Sequence, residues 1–181
     1  MRFKDIQDII KGKLKLKGNE NSEMALIKSA INQAYVIFAE KDCIIKETEF
    51  LSPSNTLDLP VDFLVYHSLY VTVTDIDLLE TTIKIPRHYL EVKANKIMIR
   101  DDLLLDCNVI SIKLVYGIKP EELKIDADVP VIKTVFHQGL VYYALFLITD
   151  NTVYYDLYMS IYNSIPIDNY VSSYSDVIDI L

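Results

Sequence analysis

Glycine is scarce in this chain of 181 residues: four are present, where average usage would supply about thirteen. Loops that cradle phosphate need glycine for close backbone approach, so the scarcity argues against phosphate-binding loops. Tryptophan is absent, and cysteine occurs twice, at Cys43 and Cys107, among apolar neighbours and without paired spacing. Both read as reduced, buried thiols, because free cysteine behaves as a small hydrophobe. No apolar signal core follows Met1, so secretion is not expected. The longest uncharged apolar stretch, roughly Val135 to Thr149, is interrupted by His137 and Gln138. A bilayer span takes about 20 apolar residues, so no membrane partner is expected.

Positive charge is also in deficit. Eighteen Lys and Arg face 26 Asp and Glu, for a net charge of -8. Proteins that wrap duplex DNA carry the opposite sign, because phosphate neutralisation drives their affinity. The imbalance is uneven along the chain. Residues 1–47 hold nine basic and seven acidic residues, a net of +2, and the remainder nets -10. From Asp150 onward there are five Asp, six Tyr and no Lys, Arg or Glu.

What is present is a globular composition, 51% hydrophobic and 24% charged. A chain of this length buries roughly 70% of its unfolded surface, enough for a core without disulfide or metal staples. No repeat or Gly/Ser linker divides it. Phe3, Ile6, Ile9 and Ile10 predict a short helix over 3–11, followed by the basic stretch Lys11, Lys13, Lys15 and Lys17. That stretch reads as a solvated loop or as a contact surface for an acidic partner.

Asn21-Ser22 suits an N-cap. Ile27, Ala30, Ile31, Ala34, Tyr35 and Phe38 then predict a helix over 22–41. Ile45 to Leu51 and Thr56 to Pro60, joined by Ser52-Pro53-Ser54-Asn55, predict a hairpin. Residues 62–73 fit either helix or strand, with a short helix running into a strand the preferred reading, and a turn with a helical segment is expected at 85–90. Strands are expected at 96–100 and 109–116, where β-branched residues are dense. Pro120-Glu121-Glu122 suits a first helical turn. A long helix is predicted over 131–149, apolar on nearly every face from Leu140 to Ile148, and a last one over 152–163 ended by Pro166. A helix apolar all round must be covered on several sides, by its own domain or by neighbouring subunits. The fold class expected is α+β: a small bundle of about four helices with a β-hairpin or β-sheet insertion over 43–116. Residues 164–181 form a C-terminal extension expected to order on a partner.

No catalytic constellation stands out. His67, His88 and His137 lie at no metal-ligand spacing, and no Gly-x-Ser-x-Gly elbow is present. Asp75 and Asp77, Asp101 and Asp102, and Asp126 and Asp128 could offer oxygen donors to a hard cation. Turn and cap chemistry explains them as well, and a small metal-dependent hydrolase using such pairs is the alternative function. The tyrosines are more suggestive. Tyr142, Tyr143, Tyr154, Tyr155, Tyr158, Tyr162, Tyr170 and Tyr174 concentrate in the last third. Tyrosine suits half-buried interfaces, and ordinary core and rim packing is the competing reading. Tyr154, Tyr155, Tyr158, Tyr162, Tyr170 and Tyr174 are the candidate interface residues. Lys11, Lys13, Lys15 and Lys17 are the candidate basic contact surface.

The order of these elements resembles the head–tail connector (adaptor) proteins of tailed bacteriophages, over roughly residues 20 to 163. The resemblance rests on Phe38-Ala39-Glu40, Leu59-Pro60-Val61-Asp62, Pro86-Arg87-His88-Tyr89 and the strand from Ile110 to Tyr116. It continues through Pro120-Glu121-Glu122-Leu123, Asp126-Ala127-Asp128-Val129-Pro130 and His137-Gln138-Gly139-Leu140-Val141-Tyr142-Tyr143-Ala144. The family often carries an aromatic residue, commonly Trp, in its first long helix, and here Tyr35 and Phe38 fill that region.

The resemblance implies a non-enzymatic structural protein of the virion neck, without cofactor or metal and made in the host cytoplasm. Such proteins form homo-oligomeric rings, commonly of twelve copies, joining the portal to the tail. A stopper or tail-completion ring is the neighbouring alternative. The implied partners are sister copies, the portal protein, and tail or stopper proteins. DNA would pass the lumen unbound, and an acidic ring would repel its backbone.

Overall fold

The computed structural model describes residues 1–16, 21–42, 44–51, 54–74, 79–100 and 108–165. Helix α1 spans Phe3–Leu14, and its buried residues Phe3, Ile6, Gln7 and Ile10 lie on one face. Asp5 in the first turn accepts a hydrogen bond from the Arg2 backbone N–H at 2.8 Å. The Phe3 and Lys4 amides, which an N-terminal turn leaves without helical partners, donate instead to the carbonyls of Asp128 and Asp126. The helix ends where Lys15 turns left-handed at φ 55°.

Helix α2, Asn21–Ala39, buries Ile27, Ala30, Ile31, Ala34, Tyr35 and Phe38, the stripe read from the sequence. Helix α3, His137–Thr149, packs on α1, on α2 and on helix α4, Thr152–Ser164. Asn151 caps α4, its side-chain oxygen accepting from the Val153 N–H at 3.0 Å. At one position the approach of α2 to α3 is as close as chemistry allows. A β-carbon on Gly139 would lie 2.2 Å from Cζ of Phe38, so the ring rests directly on the α3 backbone.

Between α2 and α3 the chain builds a second core. Strands β1 (Ile45–Phe50), β3 (Phe63–Thr74), β4 (Glu80–Lys84) and β7 (Asn108–Ile118) form an antiparallel sheet in the order β1-β7-β3-β4. Strands β2 (Thr56–Asp58), β5 (Leu90–Lys93) and β6 (Lys96–Ile99) form another, ordered β2-β6-β5. Leu57, Ile97 and Ile99 of the small sheet pack with Leu69, Val71, Ile112, Leu114 and Tyr116 of the large one. This cluster is distinct from the helical core.

The expected helical bundle with a β-hairpin or β-sheet insertion is therefore corrected. Among the described residues seven strands in two antiparallel sheets, with their own core, stand beside four helices. The physical reason lies in β3. It is partly or fully covered on both faces along its length, so the alternation that marks a half-buried strand is missing. Residues 62–73, read as a helix leading into a strand, are strand from Phe63 on. The expected hairpin is not formed either: β1 pairs with β7, and β2 with β6.

Residues 119–133 form an irregular strap across α2, with a turn at 126–127 and without the helical turn expected at Pro120. Its backbone groups are satisfied elsewhere. Asn32 grips Leu123 on both sides, accepting from its N–H at 2.8 Å and donating to its carbonyl at 3.1 Å. The Val131 N–H donates to the Tyr35 hydroxyl at 2.7 Å, and the Lys133 N–H to Asp42 at 2.6 Å. With those amides engaged, residues 131–133 stay outside the helix expected over 131–149. A 3-10 turn at Thr134–Phe136 intervenes, and α3 starts at His137.

Candidate functional site

Helix α4 carries two adjacent stripes with a spacing of four. Tyr154, Tyr158 and Tyr162 make the inner stripe, continued by the buried Ile165; Val153, Leu157 and Ile161 make the outer one. The inner stripe faces the core. Tyr158 is buried, with ring centroids 4.4 Å from Tyr143 and 5.3 Å from Tyr162. Phe38 meets Tyr158 and Tyr162 edge-on, at 5.6 and 5.8 Å. Tyr155 pairs with Phe146 at 5.0 Å. Lys41 closes the far end, its ammonium 3.9 Å from the Tyr162 ring centroid and donating to the Tyr162 carbonyl at 3.1 Å.

Burial pushes the Tyr158 hydroxyl well above its ordinary value, assisted by the neighbouring tyrosines and Glu40. Burial also raises Tyr162, and Glu40 adds to it. Both phenols are neutral at physiological pH. They pack rather than react.

The outer stripe is less covered: Ile161 packs against the helical core, and the other two residues stand open. Val153 is 59% exposed and Leu157 40%; Leu147 of α3 and, across the inner stripe, Tyr155 are 38% exposed each. The charged side chains in residues 150–165 are Asp150 and Asp156, with no cation. This face extends the apolar surface of the helical layer outward. By contrast α3, the helix apolar on nearly every side, is largely sealed within the chain by its three neighbours, with Leu147 left out.

The candidate interface tyrosines thus differ in position. Tyr158 sits in the core, Tyr154 and Tyr162 are half-buried, Tyr155 is at the surface, and Tyr170 and Tyr174 lie outside the described residues. Of the basic candidates, Lys11 and Lys13 occupy the last turn of α1 and Lys15 caps it, with Lys13 set 5.8 Å from the Tyr142 ring centroid. Lys17 lies outside the described residues. So do Cys43, Cys107, Asp75, Asp77, Asp101, Asp102 and the extension from 166 onward.

Asp128 is engaged in turn formation. Its carboxylate accepts from the Lys124 and Ile125 amides at 2.7 and 2.9 Å, and those bonds hold its pKa below the ordinary carboxylate range. Among the described residues no group of three or more His, Cys, Asp or Glu is placed to hold a metal ion. An open groove of ≈ 340 Å³ runs beside the strap. Tyr35, Asp42 and Asp128, which line it, are each bonded to backbone amides of the strap. Their oxygens serve the fold.

Sequence reasoning missed the Asn32 clamp, the Tyr35 bond to the strap and the Phe38–Gly139 contact. A polar side chain inside the apolar stripe of α2, and a glycine inside the apolar helix α3, were the signals available for two of them.

No protein-family model matches this chain, and no curated protein matches it.

Proposed function

We propose that this chain is a structural, non-catalytic subunit of the neck of a tailed phage, assembling as a homo-oligomeric ring between portal and tail. The observation that carries the reading is the outer flank of α4. Val153 and Leu157 stand exposed together on one flank of α4, and Leu147 of α3 and Tyr155 are exposed elsewhere on the same helical layer; exposed apolar surface on a well-packed layer marks interaction sites. The short motifs that resemble the connector family add the ring and its location in the virion, although the hairpin expected among its elements is not formed. The net charge of -8 suits a channel through which DNA passes unbound, since like charges repel.

Imaging tests this directly. The purified chain, alone and mixed with portal particles from a candidate host phage, would be examined by negative-stain microscopy. Rings of about twelve copies, seated on the portal, are the expected outcome. A ring that docks below another ring would make the chain a stopper. A chain that stays monomeric with portals present, at concentrations well above those in an infected cell, refutes the reading.

A further inference from the structure

The chain separates its charges between two surfaces of one helical layer. Residues 1–16, which contain α1, carry five basic residues against Asp5 and Asp8. Lys13 and Lys15 lie exposed at the C-terminal end of α1. Residues 150–165, which contain α4, carry Asp150 and Asp156 and no cation of their own, and the lysine packed on them, Lys41, lies at the Tyr162 end, further along the helix than either acid. Both helices pack on α3 and scarcely touch each other, and among the described residues no ion pair joins Lys13 or Lys15 to Asp150 or Asp156 within the molecule.

We infer that the outer flank of α4 in one copy docks against the cationic end of α1 in the next, a head-to-tail contact that rests on the assembly reading above. The apolar stripe of Val153 and Leu157 supplies surface to remove from water, which is the non-directional part of the association. Lysine suits the opposing side because its aliphatic stem can lie along apolar surface while its ammonium reaches a carboxylate. Asp156 lies on α4 beside the stripe, and Asp150, the C-cap of α3, stands just before the helix begins. Charges arranged this way fix orientation and register. They also disfavour α4 against α4, which would bring acid to acid, and α1 against α1, which would bring lysine to lysine. A contact between two different patches repeats from copy to copy and closes when its rotation closes.

Charge reversal tests the pairing, because it predicts rescue as well as loss. One variant of the full chain would carry Lys13→Glu and Lys15→Glu, and a second would carry Asp150→Lys and Asp156→Lys. Self-association would be measured by sedimentation velocity, with circular dichroism confirming the native helix content. Each variant alone should need about tenfold more protein or higher to reach half-assembly, since like charges then face each other at every contact. An equimolar mixture should recover wild-type association, because alternating copies present opposite charges at both of their surfaces. The chain carrying all four substitutions should recover it too.

Several results would overturn the inference. The lysine variant could associate as the wild type does, as expected if α4 paired with α4. The mixture could fail to recover although both variants are folded. The full chain could stay monomeric while a chain ending at Ile165 associates, which would mean that its own last segment covers the α4 flank. The two proposals also fail separately. Rings seated on portals but indifferent to these charges would remove this contact and leave the neck reading. Charge-dependent association without portal binding would do the reverse.

Discussion

Replacing Gly139 with alanine should destabilise the protein, and the same replacement at Gly12 should stabilise it. At Gly12 an added β-carbon meets nothing within 4 Å, so only backbone entropy changes. Alanine is favoured over glycine in a helix by about 1 kcal/mol, an upper figure for a position in the last turn of α1. At Gly139 the new carbon would lie 2.2 Å from Cζ and 2.9 Å from Cε1 of Phe38. Carbon atoms in contact sit about 3.5–4.0 Å apart, so the ring must retreat by more than 1 Å. It has nowhere to go. Phe38 is fully buried and held edge-on by Tyr158 and Tyr162. Overpacking of this kind costs about 1–3 kcal/mol, and the helix-propensity gain offsets about 1 of it. A net loss of up to about 2 kcal/mol lowers the melting temperature by up to roughly 8 °C in a chain of this size. Gly12→Ala should raise it by a few degrees at most. Thermal and urea unfolding followed by circular dichroism would measure both. Phe38→Leu introduced alongside Gly139→Ala should recover part of the loss, as a coupling near 1 kcal/mol between touching residues. Equal stabilisation by both glycine replacements would refute the close approach.

Asn32→Ala should cost about 1–3 kcal/mol, because it leaves the Leu123 amide and carbonyl without their partner, and hydrogen exchange at the Leu123 amide should accelerate. Stability should fall as pH drops below about 6.5. Burial holds His137 below its ordinary pKa of 6.5, with Ile132 and Pro130 carbonyls opposing and the Met1 amine assisting. Its neutral form is native, so the unfolded chain takes up the proton first and the contribution is fully present only above that pH. Urea midpoints at pH 7.5 and 5.5 would differ, and His137→Gln should narrow the difference; an unchanged slope would refute it. His67, also lowered by burial, adds in the same direction. Asp128 titrates below the ordinary value of 3.8 because its carboxylate accepts two amides, so its turn should persist in mild acid and loosen only below that value. The shifts of the Lys124 and Ile125 amides against pH would follow it, and a midpoint at or above 3.8 would count against the capping role.

Periodicity made three of the helices legible. The stripe of Ile27, Ala30, Ile31, Ala34 and Phe38 gave α2, and α1 and α4 followed from similar spacings. Strand β7 was legible from its alternating Ile110, Ile112, Leu114 and Tyr116. Strand β3 was not, since it is covered on both sides and lacks the contrast that a half-buried strand displays. Pairing was also hidden. Proximity in sequence suggested that β1 turns back on β2, whereas β1 finds its partner in β7, more than sixty residues on. The strap misled because Pro120-Glu121-Glu122 fits a helix start locally, and only Asn32, about ninety residues earlier, explains why it stays out of a helix. Concentrated tyrosine pointed to the α3–α4 region without distinguishing core from surface. That distinction depends on which side of α4 each ring occupies, and the adjacent stripes differ by one residue in register.

The chain leaves the helices at Ile44 and returns at Ile118, and these two residues are joined by a backbone hydrogen bond of 3.0 Å. The whole β unit therefore hangs from a doorway about one strand spacing wide. A short turn could bridge that doorway, so excising residues 45–117 need not pull apart the layer formed by the four helices. The converse holds during synthesis. The first two helices emerge early but must wait for α3 and α4, while the β unit between them can close on itself and hold the place.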